Sequence, residues 1–383
     1  MTAGGPERDA APGDRDGATT GGPAPGAVLV VVEQLRRSVP GGIGTYARGL
    51  LQGLRSLERA EVPDVALYAS RGRARPDPLL ALGFPVVSAP VPGPVLTRAW
   101  DHALVGGPRR FDVVHAVSLA TPPPRGRTVV VAIHDLAWRH VPDAYPSRGR
   151  RWHEAALRRA LRRGSRFVVA SGAVRDELAS EGVAPEAVAL IPLGSDHLPA
   201  PDDDAGRALL AGLGVQGPFL LSVGTLEPRK NLARLGQAYA LARRSLPEPW
   251  PLVVVGPAGW GRAQDAGGAG VVFAGRHSGA TLAALYQRAR LLAYVPVEEG
   301  YGLPPLEAMR LGTPVVASPV PSVGDAALAV DPLSVEDIAD ALVRAAGDEV
   351  LRHDLAARGR AHAERLTWAA SARAHLAVWS AGR

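Results

Sequence analysis

RLLAYVPVEEGYGLPPLEAMRLGTPVVA, residues 290–317, contains two apolar runs separated by a glycine-rich turn and a helical pattern. The runs at 290–295 and 314–317 consist largely of consecutive apolar residues, which is typical of strands buried on both faces of a parallel sheet. Pro304 and Pro305 favour the first turn of the intervening helix, where a missing N–H costs no hydrogen bond. A strand, a helix and a second strand in this order predict an α/β fold.

The same alternation of strands and helices continues through most of the chain, in two series. The first series predicts strands at 28–32, 65–68, 113–115, 128–133, 166–170 and 187–191, with helices at 44–57, 150–163 and 173–181. The second series predicts strands at 219–223, 252–255, 271–274, 290–295 and 314–317. We therefore expect two facing Rossmann-like, doubly wound domains with an inter-domain cleft.

A polar break at 199–204 separates the two series. It holds three consecutive aspartates, Asp202, Asp203 and Asp204, which we interpret as solvated residues of a linker. We therefore predict a disordered Gly- and Pro-rich tail at 1–26, an N-terminal domain at 27–198, a linker at 199–215, a C-terminal domain at 216–366 and a final helix at 367–383.

The composition excludes several classes of protein. The chain has 383 residues, of which 46% are apolar and 21% charged, values that fit a globular protein of two domains. No apolar run approaches the roughly 18 residues of a transmembrane helix, and the N-terminal residues do not resemble a signal peptide, so we expect a cytoplasmic protein. The absence of cysteine excludes disulfides and thiolate metal sites.

The basic residues are distributed unevenly between the two types. Of 43 basic residues, 42 are Arg and one is Lys230, and its neighbour Asn231 is the one Asn of the sequence. In a sequence with this bias, nearly every surface cation is Arg. The single Lys that remains, Lys230, therefore indicates a function for its ammonium group. Chance is the alternative explanation, but the pair also lies in a loop between a predicted strand and a helix.

The turn after the strand at 290–295 carries the strongest chemical signal. Gly300 and Gly302 permit close approach of a ligand to the backbone, and the N–H groups at the start of the next helix, around Leu303, form a seat for a diphosphate. Glu299 and Glu307 lie on either side of that seat, where carboxylates accept hydrogen bonds from a sugar hydroxyl and from a ribose diol. A solvated helix start with incidental acids is the alternative.

A second motif, at 222–232, follows the first strand of the second series. Asn231 suits the N-cap position of the following helix, which places Arg229 and Lys230 beside a positive helix end. Two cations at such a position bind phosphate and neutralise the charge of a nucleoside diphosphate leaving group. A solvated pair of cations is the alternative interpretation.

Two weaker signals occur in the first series. Gly42 and Gly44 lie in a loop after the first strand, where the backbone can approach phosphates or an acceptor, although ordinary turn chemistry also explains them. His134 follows a strand end and is expected to point into the cleft, whereas a structural role is the usual one for a single His at such a position.

The sequence predicts a site without metal and without nucleic acid. It contains no His-x-x-x-His helix and no Asp-x-Asp pair at a strand end, so Arg229, Lys230 and the helix dipole would do what Mg²⁺ does elsewhere. The stretch 147–166 holds eight Arg and one Glu. This basic amphipathic helix either docks on an anionic membrane or packs on the core with a solvated Arg face. No nucleic-acid module accompanies it.

Residues 28–383 resemble the family-four retaining glycosyltransferases of the B-type two-domain fold (GT-B), and within them a mannosyltransferase-like subgroup. The resemblance rests on the Glu-x7-Glu motif of Glu299 and Glu307, with further similar motifs at 41–46, 133–136, 191–194 and 224–231 and a closing Thr367-Trp368. One position departs from many members, which carry Arg where this chain has Thr225; the mannosyltransferase-like subgroup shares the Thr.

The resemblance implies a role for each matching residue. Arg229 and Lys230 would hold the donor diphosphate together with the backbone N–H groups of Gly302 and Leu303. Glu299 would contact the transferred sugar, and Glu307 the ribose of the nucleotide.

Three further roles concern the N-terminal domain and the final helix. His134 would contact the sugar from the N-terminal domain, and Gly44 would approach the phosphates, with Gly42 in the same donor-binding loop. The helix at 367–383 would return to the N-terminal domain, which would bind the acceptor.

The implied reaction transfers a hexosyl group, with retention, from a nucleoside diphosphate sugar to a glycan or lipid-linked glycan of polysaccharide biosynthesis. GDP-mannose is favoured over UDP-sugars as the donor. No cofactor beyond this co-substrate and no metal is expected. The alternatives are a sugar-nucleotide epimerase on the same fold and a non-catalytic nucleotide-sugar-binding subunit. An NAD-dependent oxidoreductase is disfavoured because the first loop is long and no acidic ribose anchor lies at the right offset.

Overall fold

The structure is a computed structural model that describes Met1 and residues 26–246, 248–259 and 267–381. The predicted tail at 1–26 therefore lies, apart from its two end residues, outside the described part of the chain. Two parallel sheets organise the rest, as the alternating sequence pattern predicts.

The first sheet has seven parallel strands in the order β3-β2-β1-β4-β5-β6-β7. In the five central strands the consecutive Val, Ile and Leu residues are buried between helices on both faces, so these strands do not alternate apolar and polar residues, whereas the two edge strands are partly exposed. The strands are β1 Val28–Val31, β2 Val65–Ser70, β3 Val86–Ala89, β4 Val113–Ala116, β5 Thr128–Ile133, β6 Arg166–Val169 and β7 Val188–Leu190.

The second sheet has six strands in the order β10-β9-β8-β11-β12-β13, again all parallel. Each sheet therefore reverses its strand order once, between β1 and β4 and between β8 and β11, and ligands of doubly wound folds bind at such switch points. The strands are β8 Leu220–Val223, β9 Leu252–Val255, β10 Val271–Gly275, β11 Leu291–Tyr294, β12 Val315–Ala317 and β13 Leu328–Ala329.

Twelve α-helices are described between and around these strands. They are α1 Gly41–Ser56, α2 Gly93–Asp101, α3 Ala137–His140, α4 Ser147–Arg162, α5 Gly172–Ser180, α6 Asp203–Gly212, α7 Leu232–Ala242, α8 Gly279–Arg288, α9 Leu303–Arg310, α10 Val335–Gly347, α11 Glu349–Glu364 and α12 Trp368–Ser380. None of the described helices is both long enough and apolar enough to cross a bilayer.

The three aspartates are solvent-exposed, as predicted, but they begin a helix that the sequence analysis did not predict. Asp202 caps helix α6 by accepting a hydrogen bond from the backbone N–H of Ala205 at 2.9 Å, and Asp203 and Asp204 form the first turn. Negative charge is favourable there because it opposes the positive end of the helix dipole. Helix α6 then packs on α8, where an added Cβ on Gly206 would lie 2.8 Å from Ala284.

Helix α12 packs against α1 of the N-terminal half, although it follows the C-terminal half in sequence. Trp368 lies so close to α1 that an added Cβ would approach its indole ring to 2.1 Å at Gly49 and its carbonyl oxygen to 2.1 Å at Gly53. Trp368 and Trp379 are fully buried. The predicted return of the final helix to the N-terminal domain is therefore observed over the described residues.

Candidate functional site

The site residues of the C-terminal half meet at the switch point of the second sheet. The turn after β8 supplies Arg229 and Lys230, and the turn after the neighbouring strand β11 supplies Glu299. Because both strands are parallel, their carboxyl ends lie side by side, so residues about 70 positions apart in sequence come into contact.

Lys230 and Glu299 form a buried ion pair. The ammonium group of Lys230 donates to Oε2 of Glu299, and it also donates to the hydroxyl of Tyr294 at 2.8 Å. The Tyr294 hydroxyl in turn donates to Oε2 of Glu299 at 2.6 Å. The side chains of Lys230 and Glu299 are only 11% and 13% exposed, so the geometry of the pair is fixed by packing.

Arg229 adds a second cation to the same carboxylate. Its Nη1 donates to Oε2 of Glu299 at 3.3 Å, and its Nε lies 2.5 Å from a carboxylate oxygen of Glu227 in a further ion pair. Two cations and two carboxylates thus balance within one cluster. Binding of a diphosphate by Arg229 and Lys230 stays a prediction.

Burial and charge act in opposite directions on the protonation of this cluster. Burial alone would raise the pKa of Glu299, but Lys230 and Arg229 outweigh it and lower that pKa to about 2. Burial lowers the pKa of Lys230, although Glu299 opposes this shift. Burial raises the pKa of Glu227. Glu299 is therefore a carboxylate throughout the physiological range.

Helix α9 begins beside this cluster. Gly302 precedes it with φ +98°, a conformation that favours glycine, and an added Cβ there would lie 2.8 Å from Oγ of Ser322. Pro304 and Pro305 carry no N–H, so Leu303 supplies the first N–H group of the helix. The helix start that the sequence predicts around Leu303 is therefore confirmed, and binding of a diphosphate by its N–H groups stays a prediction.

Glu307 lies inside α9 and is held by two hydrogen bonds. The hydroxyl of Tyr286 donates to its Oε2 at 2.8 Å, and Nε2 of His197 lies 2.8 Å from its Oε1. Glu307 is 7% exposed, and it belongs to the same nonapeptide as Glu299. The two carboxylates therefore occur in separate surroundings, one paired with cations and one with neutral donors.

Family models match both halves of the chain. The model described as Glycosyltransferase Family 4 matches residues 40–197, and the model described as Glycosyl transferases group 1 matches residues 212–362. O-antigen chain mannosyltransferase B of Escherichia coli is 31% identical over 264 residues, which span 64% of this chain and 68% of that protein. The chain belongs to the family-four glycosyltransferases. Its relatives make it a glycosyltransferase of the mannosyltransferase-like type.

Other relatives match this glycosyltransferase over shorter stretches. Serotype-specific mannosyltransferase WbdA of Escherichia coli is 32% identical over 179 residues, which are 42% of this chain and only 21% of that protein. D-inositol 3-phosphate glycosyltransferase of Jonesia denitrificans is 31% identical over 222 residues, 52% of each chain.

Solved structures show the same two-domain GT-B fold. HepE of Anabaena, crystallised with UDP and glucose, superposes with a TM-score of 0.69 over 93% of this chain and 99% of its own, at 17% identity. WaaG, a glycosyltransferase involved in lipopolysaccharide biosynthesis, superposes with a TM-score of 0.64 over 92% of this chain and 99% of its own, at 20% identity. At these identities the likeness establishes the fold alone.

His134 lies where the two halves of the glycosyltransferase meet. The carbonyl oxygen of His134 would lie only 1.9 Å from a Cβ added to Gly300, so the turn that carries Glu299 passes directly over the end of β5. The imidazole Nε2 lies 2.8 Å from the carbonyl oxygen of Val117, and its ring packs edge-on against Tyr46. Burial lowers the pKa of His134, which favours a neutral ring.

Gly42 and Gly44 lie within the first turn of α1, which begins at Gly41, three residues earlier than the helix start predicted at residue 44. An added Cβ on Gly44 would lie 2.3 Å from the Cβ of Pro40, so the chain needs glycine there. Gly42 is exposed, and a Cβ at this position would meet no atom within 4 Å. A role for Gly42 and Gly44 in binding the donor stays a prediction.

Asn231 occupies the predicted N-cap position of α7 but does not cap the helix with its side chain. It has φ +61°, and its amide donates to the carbonyl oxygens of Val295 at 3.0 Å and Pro332 at 2.7 Å. Asn231 therefore joins the turns after β8 and β11 and fixes the position of Lys230. The prediction of a conventional cap is wrong, because tertiary hydrogen bonds replace it.

The sequence analysis did not single out four side chains that contact the site residues: Glu227, which pairs with Arg229, and Tyr294, His197 and Tyr286, which contact the two carboxylates. Glu227 lies inside the quoted motif at 222–232, so its acidic side chain beside two cations was an available signal. The other three contact the site only through the fold, and no local pattern marks them.

The described residues contain no group of three His, Asp or Glu side chains arranged to hold a metal ion. Metal independence of the reaction stays a prediction.

The basic stretch forms helix α4, whose apolar stripe packs inward. Ala156, Leu157 and Ala160 are buried in the core, so nothing remains on this stripe to insert into a membrane. Trp152 donates to the carboxylate of Asp101 at 3.1 Å, and the outward face borders an open cavity of about 850 Å³. Its basic lining consists of Arg139, Arg150, Arg151, Arg158, Arg159 and Arg162.

Proposed function

We propose that this glycosyltransferase moves a mannosyl group from GDP-mannose, with retention of configuration, to a hydroxyl of a glycan or lipid-linked glycan. The observation that carries the proposal is the arrangement of Arg229, Lys230, Glu299 and Glu307 around the start of α9. The diphosphate would bind at the helix N-terminus and to the two cations. Glu299 would then contact the transferred sugar, and Glu307 would contact the ribose.

The charges of the site suit the departure of a diphosphate. As the bond between sugar and phosphate breaks, negative charge grows on the leaving group and positive charge on the sugar ring. Lys230 and Arg229 would stabilise the former, and Glu299 would hold a sugar hydroxyl in place. The departing phosphate would take the acceptor proton itself, so the mechanism needs no separate general base.

The choice of donor rests on the relatives. O-antigen chain mannosyltransferase B and WbdA are named as mannosyltransferases, which supports a mannosyl donor. HepE was crystallised with UDP-glucose, which keeps UDP-sugars as the second candidates. An epimerase would require an acid pair facing C2 of the sugar, and the described cluster instead pairs its acids with cations and fixed donors.

A two-step measurement tests the proposal. Thermal unfolding of the purified protein is followed with GDP, UDP, ADP and dTDP sugars, because a ligand at 100 times its dissociation constant stabilises by about 2.7 kcal/mol. NMR of the product then gives the anomeric configuration of the new linkage. We expect the largest rise in melting temperature with GDP-mannose and a product of the donor's configuration. An inverted product or no stabilisation by any nucleotide sugar would contradict the proposal.

We further propose that the protein acts in the cytoplasm and docks on the inner face of the cell membrane through α4. Arg151, Arg158 and Arg162 are exposed on that helix. Each basic residue near an anionic surface contributes about 1 kcal/mol, which supports weak, salt-sensitive docking without insertion. Such docking would bring the site to a lipid-linked acceptor.

A further inference from the structure

The carboxylate of Glu307 receives hydrogen bonds from two different parts of the molecule. Tyr286 lies on α8, in the same half of the protein as Glu307. His197 lies in the segment 191–202, which connects β7 of the first sheet to α6. The chain passes from one half to the other in two such segments, which we call crossings, and this is the first. The side chains of His197 and Glu307 are 11% and 9% exposed.

A third residue determines which ring nitrogen of His197 carries the proton. The indole Nε1–H of Trp368 donates to Nδ1 of His197 at 3.2 Å. An indole N–H is a donor only, so Nδ1 must accept and the hydrogen lies on Nε2, which donates to Glu307. The chain Trp368, His197, Glu307 therefore runs in one direction, from the first helical residue of α12 to the middle of α9.

The segment of His197 is also fixed to the second crossing between the halves, which leads from α11 to α12. The backbone N–H of Ser195 donates to the carbonyl oxygen of Leu366 at 2.9 Å, and the backbone N–H of Trp368 donates to Oδ1 of Asp196 at 2.8 Å. An added Cβ on Gly194 would lie 2.3 Å from the nitrogen of Trp368. The two crossings thus run side by side in direct contact.

This arrangement leaves Glu307 with capacity for a ligand. Each carboxylate oxygen accepts one hydrogen bond, and each has a further lone pair that can accept from a hydroxyl. With Tyr286 alone, the carboxyl group could turn about its remaining anchor. With Nε2–H of His197 on the other oxygen, both free lone pairs have set directions, as a pair of vicinal hydroxyls requires.

We propose that His197 is a positioning residue for the nucleotide: its Nε2–H orients the carboxylate of Glu307 toward the ribose diol. Because His197 accepts from Trp368, the orientation of the Glu307 carboxylate also depends on the contact between the two crossings. The inference rests on the proposed role of Glu307 as the ribose ligand. It adds the residue that holds Glu307 in place. It also adds the chain of contacts through which a change in the orientation of the two halves would change nucleotide binding.

Two substitutions separate positioning from packing. In His197→Gln the amide nitrogen replaces Nε2 and keeps the donor to Glu307, whereas in His197→Asn the shorter amide replaces Nδ1 and keeps only the acceptor for Trp368. We expect the affinity for GDP, measured by calorimetry, to fall about tenfold in His197→Asn and to stay within about threefold in His197→Gln. UDP is the probe if it binds the wild type more tightly. His353→Asn, on the exposed face of α11, is the matched control and should bind normally.

A double-mutant cycle with Glu307→Gln identifies the partner through which His197 acts. Combined with Glu307→Gln, His197→Asn should weaken GDP binding much less than it does alone, because the carboxylate it orients is already changed. Melting temperatures of all variants show which ones are folded. If His197→Asn does not fold, His197→Phe carries the test, because it keeps an aromatic ring but has no donor for Glu307, and the same loss of GDP affinity is expected. Equal affinity of both His197 variants and the wild type, or additive effects with Glu307→Gln, would overturn the inference. Unchanged binding in Glu307→Gln alone would instead overturn the proposed role of Glu307.

Discussion

The substitution Lys230→Met removes one buried charge while keeping most of the side-chain volume. Lys230 donates to both Glu299 and Tyr294 and is 11% exposed, so water cannot readily replace the ammonium group. The remaining partners of Glu299 are Arg229 and the Tyr294 hydroxyl. We expect the fold to persist, because Met fills the same space beside Tyr294.

The size of the effect follows from the loss of a preorganised charge. Burial alone would raise the pKa of Glu299, and Lys230 and Arg229 outweigh it and lower that pKa to about 2, so the Lys230 ammonium group interacts strongly with negative charge at this position. A leaving diphosphate would meet the same preorganised charge, and removing one such charge typically costs ~10²–10³ in rate. We therefore expect kcat to fall by about 10² or more in Lys230→Met.

Steady-state kinetics with the best sugar nucleotide from the donor screen measures this loss, and the melting temperature verifies folding. Lys230→Arg serves as the second variant, since it keeps the charge but introduces a planar fork where Lys230 Nζ lies 2.8 Å from the Tyr294 hydroxyl. We expect it to be impaired as well. If both variants turn over within about threefold of the wild-type rate, Lys230 does not stabilise the leaving group and the argument from its burial is refuted.

Three other outcomes are expected. Activity should persist in EDTA, because Arg229 and Lys230 supply the positive charge; complete loss that Mg²⁺ or Mn²⁺ restores would disprove this. The wild-type protein should co-sediment with anionic but not with neutral vesicles, and it should dissociate as the salt concentration rises. A variant with Arg151, Arg158 and Arg162 changed to Gln should bind neither kind of vesicle. If the wild-type protein stays in solution with anionic vesicles at low salt, docking through α4 is excluded. Burial lowers the pKa of His375 to about 4, below the ordinary 6.5, so the unfolded chain takes up the proton first and stability falls as pH drops from about 6.5 to about 4. The melting temperature of His375→Gln should fall less over this range, and an unchanged slope would contradict the argument.

The sheets could be predicted because buried parallel strands have a distinctive composition. Runs such as Thr128–Ile133 and Leu252–Val255 contain consecutive β-branched or apolar residues, and their bounds agree with the structure. Val86–Ala89 was missed because it is a half-exposed edge strand without such a run. Strand β13, Leu328–Ala329, is too short to produce a pattern.

Helix α6 was missed because exposed aspartates occur both in solvated loops and in the cap and first turn of a helix. The three aspartates are exposed, as predicted, and they also begin α6. The helix packs on α8 through the close contact of Gly206 with Ala284. This contact joins residues far apart in sequence, which local composition does not reveal.

The clustering of the charged site residues could also be predicted, because strand ends at a switch point must lie together. Lys230 and Glu299 meet for this reason. The donors that orient the carboxylates could not be predicted in the same way. Tyr294 is inside a strand, and His197 and Trp368 come from two separate crossings, so their contacts exist only once both halves have packed.

Calorimetric titration of Glu307→Gln and Glu299→Gln with the free nucleoside diphosphate tests the central claim most directly. If Glu307 holds the ribose, its substitution should weaken nucleotide binding by ~10–150-fold, the effect of losing about 1.5–3 kcal/mol. Glu299→Gln should bind the free nucleotide almost normally while turnover of the sugar nucleotide falls, because its partner is the transferred sugar. Nucleotide affinity that is lost in Glu299→Gln and kept in Glu307→Gln would contradict the assignment of the two carboxylates to the two ends of the donor.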